Sequence, residues 1–102
     1  MESHAKVVVI GGGVVGCSIL YHLSKFGLKD CILLERNELT SGSSWHAAGN
    51  VHVISSDPNI SRMMAYTIGL YKEIEKESGH AIGYKPSGGF YLASNDVWAD
   101  YL

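Results

Sequence analysis

Four residues of this chain have types and spacing that can do chemistry together. Gly11, Gly13 and Gly16 stand in G-x-G-x-x-G order, and Glu35 follows Gly16 by 19 residues. The set breaks no bond; it suits the binding of a phosphate and a sugar. Gly11 lets the chain turn sharply. Gly13 has no Cβ, so its backbone can approach a phosphate, and Gly16 lets a helix lie close to a sheet. N–H groups around Val14 and Val15 then point at the anion, helped by the positive end of the helix dipole. Glu35 is placed to accept hydrogen bonds from ribose hydroxyls.

Such a glycine pattern is weak evidence alone, because glycines cluster in many turns. Its setting strengthens it. The apolar run Val7–Ile10 reads as a strand. Val15, Ile19, Leu20, Leu23 and Phe26 follow helical spacing over residues 14–26, and Gly27 is a good stop. Cys31–Leu34 is continuously apolar, as a parallel strand buried on both faces should be. Strand, glycine turn, helix, strand, acid is the order of a Rossmann-like βαβ unit that holds a dinucleotide, in an α/β fold. The competing reading is the same unit with a glycine-rich turn and no ligand. Arg36 can serve a 2′-phosphate, which suits NADP; the Glu35 carboxylate repels that phosphate and favours NAD or FAD.

The rest of the chain is read more coarsely. Residues 37–50 form a loop or a broken helix start. Val51–Ile54 is a candidate short strand. Asp57 caps a helix with Pro58 at its first position and Gly79 at its end. Ile60, Met64, Thr67, Tyr71 and Ile74 form its apolar stripe, with Met63 and Met64 as core filler and Lys72–Lys76 as a solvated face. Ile82–Tyr84 and Gly89–Ala93 are expected to pair as strands around Pro86, Ser87 and Gly88, and Ser94 or Asn95 caps a last helix. A doubly wound fold needs more parallel strands than these 102 residues supply. The chain is therefore expected to be the N-terminal portion of a larger doubly wound fold, either truncated or one piece of a split enzyme.

Composition narrows the function classes. Apolar content of 46% and charged content of 18% are ordinary for a globular protein. A net charge of −2 with no basic run argues against nucleic acid. No segment has the apolar length of a membrane span. The glycines after Val7–Ile10 break any resemblance to a signal peptide. Cys17 and Cys31 have no metal or redox spacing and read as small apolar groups, so no metal is expected and the compartment is read as reducing and cytoplasmic. His4, His22, His52 and His80 match no motif.

The segment after the second strand, LTSGSSWHAAGN, adds a more specific signal. With GGGVVG and LLER it resembles FAD-dependent amine oxidoreductases of the D-amino-acid-oxidase superfamily, the dimethylglycine and sarcosine dehydrogenase group above all. The resemblance covers essentially the whole chain and is sharpest over Ser41–Gly49. It implies a covalent bond from His46 to the flavin 8α-methyl carbon, since a neutral imidazole nitrogen is a good nucleophile toward an electron-poor carbon. It also implies that Gly42 and Gly49 let the loop pass close to the flavin, and that Ser43 and Ser44 donate to phosphate or flavin oxygens. The resemblance further implies that Trp45 walls the cofactor, with Ala47, Ala48 and Asn50 completing the loop. The family often has a small residue four places after the last fingerprint glycine; here that place is Leu20.

The resemblance implies oxidation of N-methyl amines such as dimethylglycine or sarcosine, by hydride transfer to flavin N5. It also implies a small-molecule amine substrate, the remainder of the enzyme or a partner chain, and a tetrahydrofolate-binding domain in part of the family. Substrate contacts in that family lie mostly further along than Leu102, so no catalytic residue is named. Tyr66, Tyr71, Tyr84 and Tyr91 read as packing residues. Two alternatives stay open: another flavin-dependent amine or hydroxy-acid oxidoreductase with non-covalent FAD, and an inactive nucleotide-binding fragment.

Overall fold

Val7–Ile10 forms β1 and Cys31–Leu34 forms β2 in the computed structural model, which describes residues 4–102. The strands pair in parallel, in register from Val7 opposite Cys31 to Ile10 opposite Leu34. Between them runs the helix α1, Val14–Lys25. The result is an α/β unit of two parallel strands and one crossover helix. By its internal contacts the chain divides into two compact units, Met1–Gly49 and Asn50–Leu102.

The end of α1 follows from Gly27. Its φ of +85° is open to glycine at little cost. Gly27 N–H donates to the Ser24 carbonyl at 2.9 Å and Leu28 N–H to the Leu23 carbonyl at 3.0 Å, a Schellman ending. Gly16 sets how closely α1 lies on the sheet. It is buried, and a β-carbon there would overlap the Gly11 carbonyl oxygen.

The covered face of α1 is Gly16, Leu20 and Leu23, spaced one helical turn apart. The wider stripe read from the sequence is not buried: Val15, Ile19 and Phe26 are exposed, Phe26 at 79%. Burial of both strand faces also fails among the described residues. Val9 is buried, but Ile10 is 86% exposed and Leu34 is also exposed. The reason is geometric: a two-stranded sheet offers α1 one narrow face. Leu20 is accommodated, half-buried beside an open apolar hollow that it lines with Cys17, Tyr21, Leu33 and Leu39.

In the second unit, α2 spans Pro58–Ser78. Asp57 caps it by accepting from Asn59 N–H at 2.7 Å, and Gly79 ends it at φ +70°. Leu70 is its buried centre, flanked by half-buried Ile60, Met64, Thr67, Tyr71 and Ile74. Met63 is a correction: it is 58% exposed, one position off that stripe. Of the Lys72–Lys76 segment, Lys72, Glu73 and Lys76 are exposed as a solvated face requires, while Ile74 and Glu75 are half-buried.

Residues 51–54, 82–84 and 89–93 do not form strands. Two short strands without a third, or a helix behind them, are marginal in water. Other bonds take their backbone instead. Ser55 N–H donates to Ser61 Oγ at 3.1 Å, Ile82 N–H to Glu75 Oε1 at 2.8 Å, and Ser87 N–H to the Lys85 carbonyl at 2.8 Å. The last helix, α3, spans Asp96–Tyr101, capped by Asn95 accepting from Trp98 N–H at 3.0 Å.

Two glycines sitting in helices should respond with opposite signs to the same change. Gly16→Ala forces α1 off the Gly11 carbonyl and is expected to destabilise by about 1–3 kcal/mol. Gly69→Ala, inside α2 with nothing near the new methyl, is expected to stabilise by roughly 0.5–1 kcal/mol. Thermal midpoints of the two variants measured against the unmodified protein check both signs.

Candidate functional site

The turn after β1 is held from several directions at once. Gly11 N–H donates to the Leu34 carbonyl at 2.8 Å and extends the strand pairing by one step. Gly12 N–H donates to Glu35 Oε2 at 2.7 Å. The Gly12 carbonyl accepts from Thr40 N–H at 2.9 Å. Gly13 is the extended residue before α1 and has no side chain with which to cap it. The cap comes from 30 residues further on, where Ser44 Oγ accepts from Val14 N–H at 2.8 Å. Glycines, acid and serine thus meet at the start of α1.

What remains open there suits an anion. The first N–H groups of a helix have no carbonyl within the helix to bond. The sequence points the N–H groups of Val14 and Val15 at the anion, but that of Val14 is taken by Ser44; among the described residues, those of Val15 and Gly16 have no acceptor. Together with the dipole they offer donors to a phosphate. Gly16 carries no side chain over them, and Val14 and Val15 are exposed at the same helix end. The residues present therefore fit a dinucleotide pyrophosphate.

Glu35 sits one residue past β2. Besides Gly12, its Oε1 accepts from Asn37 N–H at 2.9 Å. These two backbone bonds, the Gly12 one first, hold its carboxyl below the usual carboxylate range. A carboxylate has about four acceptor positions, so capacity remains for ribose hydroxyls. Arg36 is exposed beside it.

The loop after β2 contains a short 3₁₀ turn, Ser43–His46. His46 Nδ1 lies 3.2 Å from the Gly42 carbonyl oxygen. A carbonyl only accepts, so this contact assigns the imidazole proton to Nδ1 and leaves the lone pair on Nε2. The Trp45 and His46 rings are stacked at a tilt, 3.8 Å between centroids, with Trp45 66% exposed. Ala47, Ala48 and Gly49 are exposed and lead away from the turn, Gly49 with φ +72°. Gly42 has an ordinary negative φ, and no neighbour would crowd a β-carbon at either glycine. Asn50 falls in the second unit.

Sequence reading passed over Gly12, Leu39 and Thr40. Gly12 is buried, and a β-carbon there would press on the side chains of Glu35 and Leu39. Its signal was the unbroken run of three glycines. Thr40 holds the Gly12 carbonyl from a positive φ of 65°, which no sequence pattern announces for a threonine.

Comparison with known proteins gives the same direction. Residues 6–102 match the family described as FAD dependent oxidoreductase. The chain is 42% identical over 99 residues to human mitochondrial dimethylglycine dehydrogenase, covering 97% of this chain and 11% of that protein. It is 43% identical over 96 residues to human mitochondrial sarcosine dehydrogenase, covering 93% and 10%. It is 39% identical over 102 residues to the formaldehyde-forming 4-methylaminobutanoate oxidase of Paenarthrobacter nicotinovorans, covering 100% and 12%. The chain spans about a tenth of the length of these curated relatives.

The Glu35 contacts predict a pH response. A carboxyl with a depressed folded-state pKa adds stability above its unfolded pKa, and that contribution fades as pH falls through the folded value. The Gly12–Glu35 bond should therefore persist through the ordinary carboxylate range and loosen only at more acid pH. In an NMR titration, the Glu35 carboxyl carbon and the Gly12 amide should move together, with a midpoint below that of a glutamate in an unfolded peptide. A midpoint at or above the peptide value would show that the carboxylate does not hold the turn.

Proposed function

The chain belongs to the FAD-dependent oxidoreductase family, and on that premise we propose that it is the flavin-binding segment of a larger, doubly wound enzyme that oxidises N-methyl amines. The observation that carries this reading is the meeting of three parts at one place. They are the open N–H groups of α1, the Glu35 carboxylate at the end of β2, and the Ser43–His46 turn held there by Ser44. Similarity to enzymes named for dimethylglycine, sarcosine and 4-methylaminobutanoate supports a methylated amine as the substrate class.

Each residue has a role in this reading. Val15 and Gly16 N–H groups take the pyrophosphate, with Gly11 and Gly13 keeping the approach clear. Glu35 accepts from the ribose hydroxyls and repels a 2′-phosphate. Trp45 keeps His46 oriented by stacking on it. His46 presents the Nε2 lone pair as the nucleophile toward the flavin 8α-carbon. That N–C bond would form with loss of one methyl C–H proton and the imidazole N–H proton, and its two electrons would be taken up by the flavin. Bound there, the flavin would supply two-electron acceptance toward the substrate's N-methyl carbon. Substrate contacts fall to the remainder of the enzyme.

Two variants of the full-length polypeptide test the reading. His46→Ala should still bind FAD, because the α1 donors remain, but should release all of it on acid denaturation. Flavin retained by the denatured variant would place the tether elsewhere. Flavin released by the unmodified protein would favour a non-covalent amine or hydroxy-acid oxidoreductase. Glu35→Ala should weaken FAD binding by about tenfold or more, the loss of at least one charge-assisted hydrogen bond. Equilibrium titration of the apoprotein measures it; an unchanged Kd would remove Glu35 from the ribose site.

A further inference from the structure

We propose that Ser44 is the positioning residue for His46: its hydroxyl bridges the N-terminus of α1 and the cofactor phosphate, and so fixes where the imidazole meets the flavin. This rests on the reading of His46 as the tether.

The bridge follows from what a hydroxyl can do. It accepts and donates at once. One Ser44 lone pair is taken by Val14 N–H at 2.8 Å. Among the described residues, no acceptor takes its proton. That proton is left over beside the open N–H groups of Val15 and Gly16, where a phosphate oxygen would sit. Gly13 gives the bridge its room: a β-carbon there would stand 3.1 Å from Ser44 Oγ, tighter than ordinary contact. The glycine before α1 thus admits a serine from the next loop as well as a phosphate.

The link to His46 is the turn itself. Ser44 and His46 lie in one 3₁₀ turn, closed by Ala47 N–H donating to the Ser44 carbonyl at 3.4 Å and by His46 Nδ1 at 3.2 Å from the Gly42 carbonyl. Trp45 and His46 are exposed, and nothing lies near the Gly42 α-carbon's open side. Ser41 N–H bonds only within the loop, to the Glu38 carbonyl, and the nearest earlier tie to the glycine turn is Thr40 to Gly12. Ser44 is therefore the point at which the turn is pinned to α1. Phosphate binding strengthens that pin from its other side. Freed of it, the turn keeps its internal shape and loses its placement.

Attachment rate reads placement, because a reacting atom misplaced by about 1 Å can slow a reaction roughly a hundredfold. The full-length polypeptide is prepared as apoprotein and incubated with excess FAD. Total bound flavin and the fraction surviving acid precipitation are followed with time. Ser44→Ala should bind FAD yet attach it roughly ten- to a hundredfold more slowly, and Ser44→Thr should restore the rate. Val14→Pro removes the other half of the bridge: proline has no N–H, and its ring carbon takes the space where that hydrogen pointed, so the Ser44 hydroxyl loses its seat on α1. Proline is tolerated at the first position of a helix, and Gly13 at φ −79°, ψ −176° already has the extended shape that precedes one. Val14→Pro should show the same slow attachment, and it decides the matter alone where Ser44→Ala fails to fold.

Attachment at the unmodified rate in either Ser44→Ala or Val14→Pro overturns the proposal and leaves the tether reading standing. A folded Ser44→Ala that binds no FAD at saturation also overturns it, since Ser44 would then govern binding rather than placement. Release of all flavin by the unmodified protein defeats the tether reading, and this proposal falls with it.

Discussion

The hydrogen bond from Gly12 N–H to Glu35 joins two parts of the chain 23 residues apart, and the rest of the site hangs from it. The bond is charge-assisted, which makes it stronger than a neutral one. It fixes the glycine turn against the end of β2. The loop that follows β2 is then tied to that turn twice, through Thr40 to the Gly12 carbonyl and through Ser44 to Val14. A loop tied to a mobile turn would place nothing. The same carboxylate faces the sugar in the proposed complex, so one acid serves the fold and the ligand.

Elements with local signals were legible. α1 ends where Gly27 permits a left-handed residue, and α2 runs from its Asp57–Pro58 start to Gly79. Asn95 caps α3 as the sequence allowed. In each case the stabilising partner lies within a few residues. β1 and β2 were legible for a different reason: an apolar run beside a fingerprint of fixed spacing has few other meanings.

Elements whose partners are distant were not legible. Residues 51–54, 82–84 and 89–93 have the composition of strands, but composition cannot supply the neighbour that a ladder requires. Met63 and the outer apolar stripe of α1 fail for a related reason. Periodicity says which side chains share a face, and it does not say whether anything covers that face. Val15, Ile19 and Phe26 share one, and it is exposed.

The candidate site divides along the same line. Gly11, Gly13, Gly16 and Glu35 are read from spacing because their work is done by backbone shape and one charge. The His46 loop is different. Its spacing alone marks no chemistry, and only its resemblance to a known family singled it out. What geometry adds is a set of long-range ties that no local pattern encodes: Ser44 capping a helix 30 residues earlier, Thr40 strained to hold Gly12, and Gly42 selecting the proton position of the imidazole. The anion seat is thus made by local sequence, and the placement of a nucleophile beside it is made by tertiary contacts. Substitutions in the glycine turn should disturb both, because those contacts end on it. Substitutions in the Ser43–His46 turn can separate binding from attachment, because the Val15 and Gly16 N–H donors and the Glu35 carboxylate remain without them.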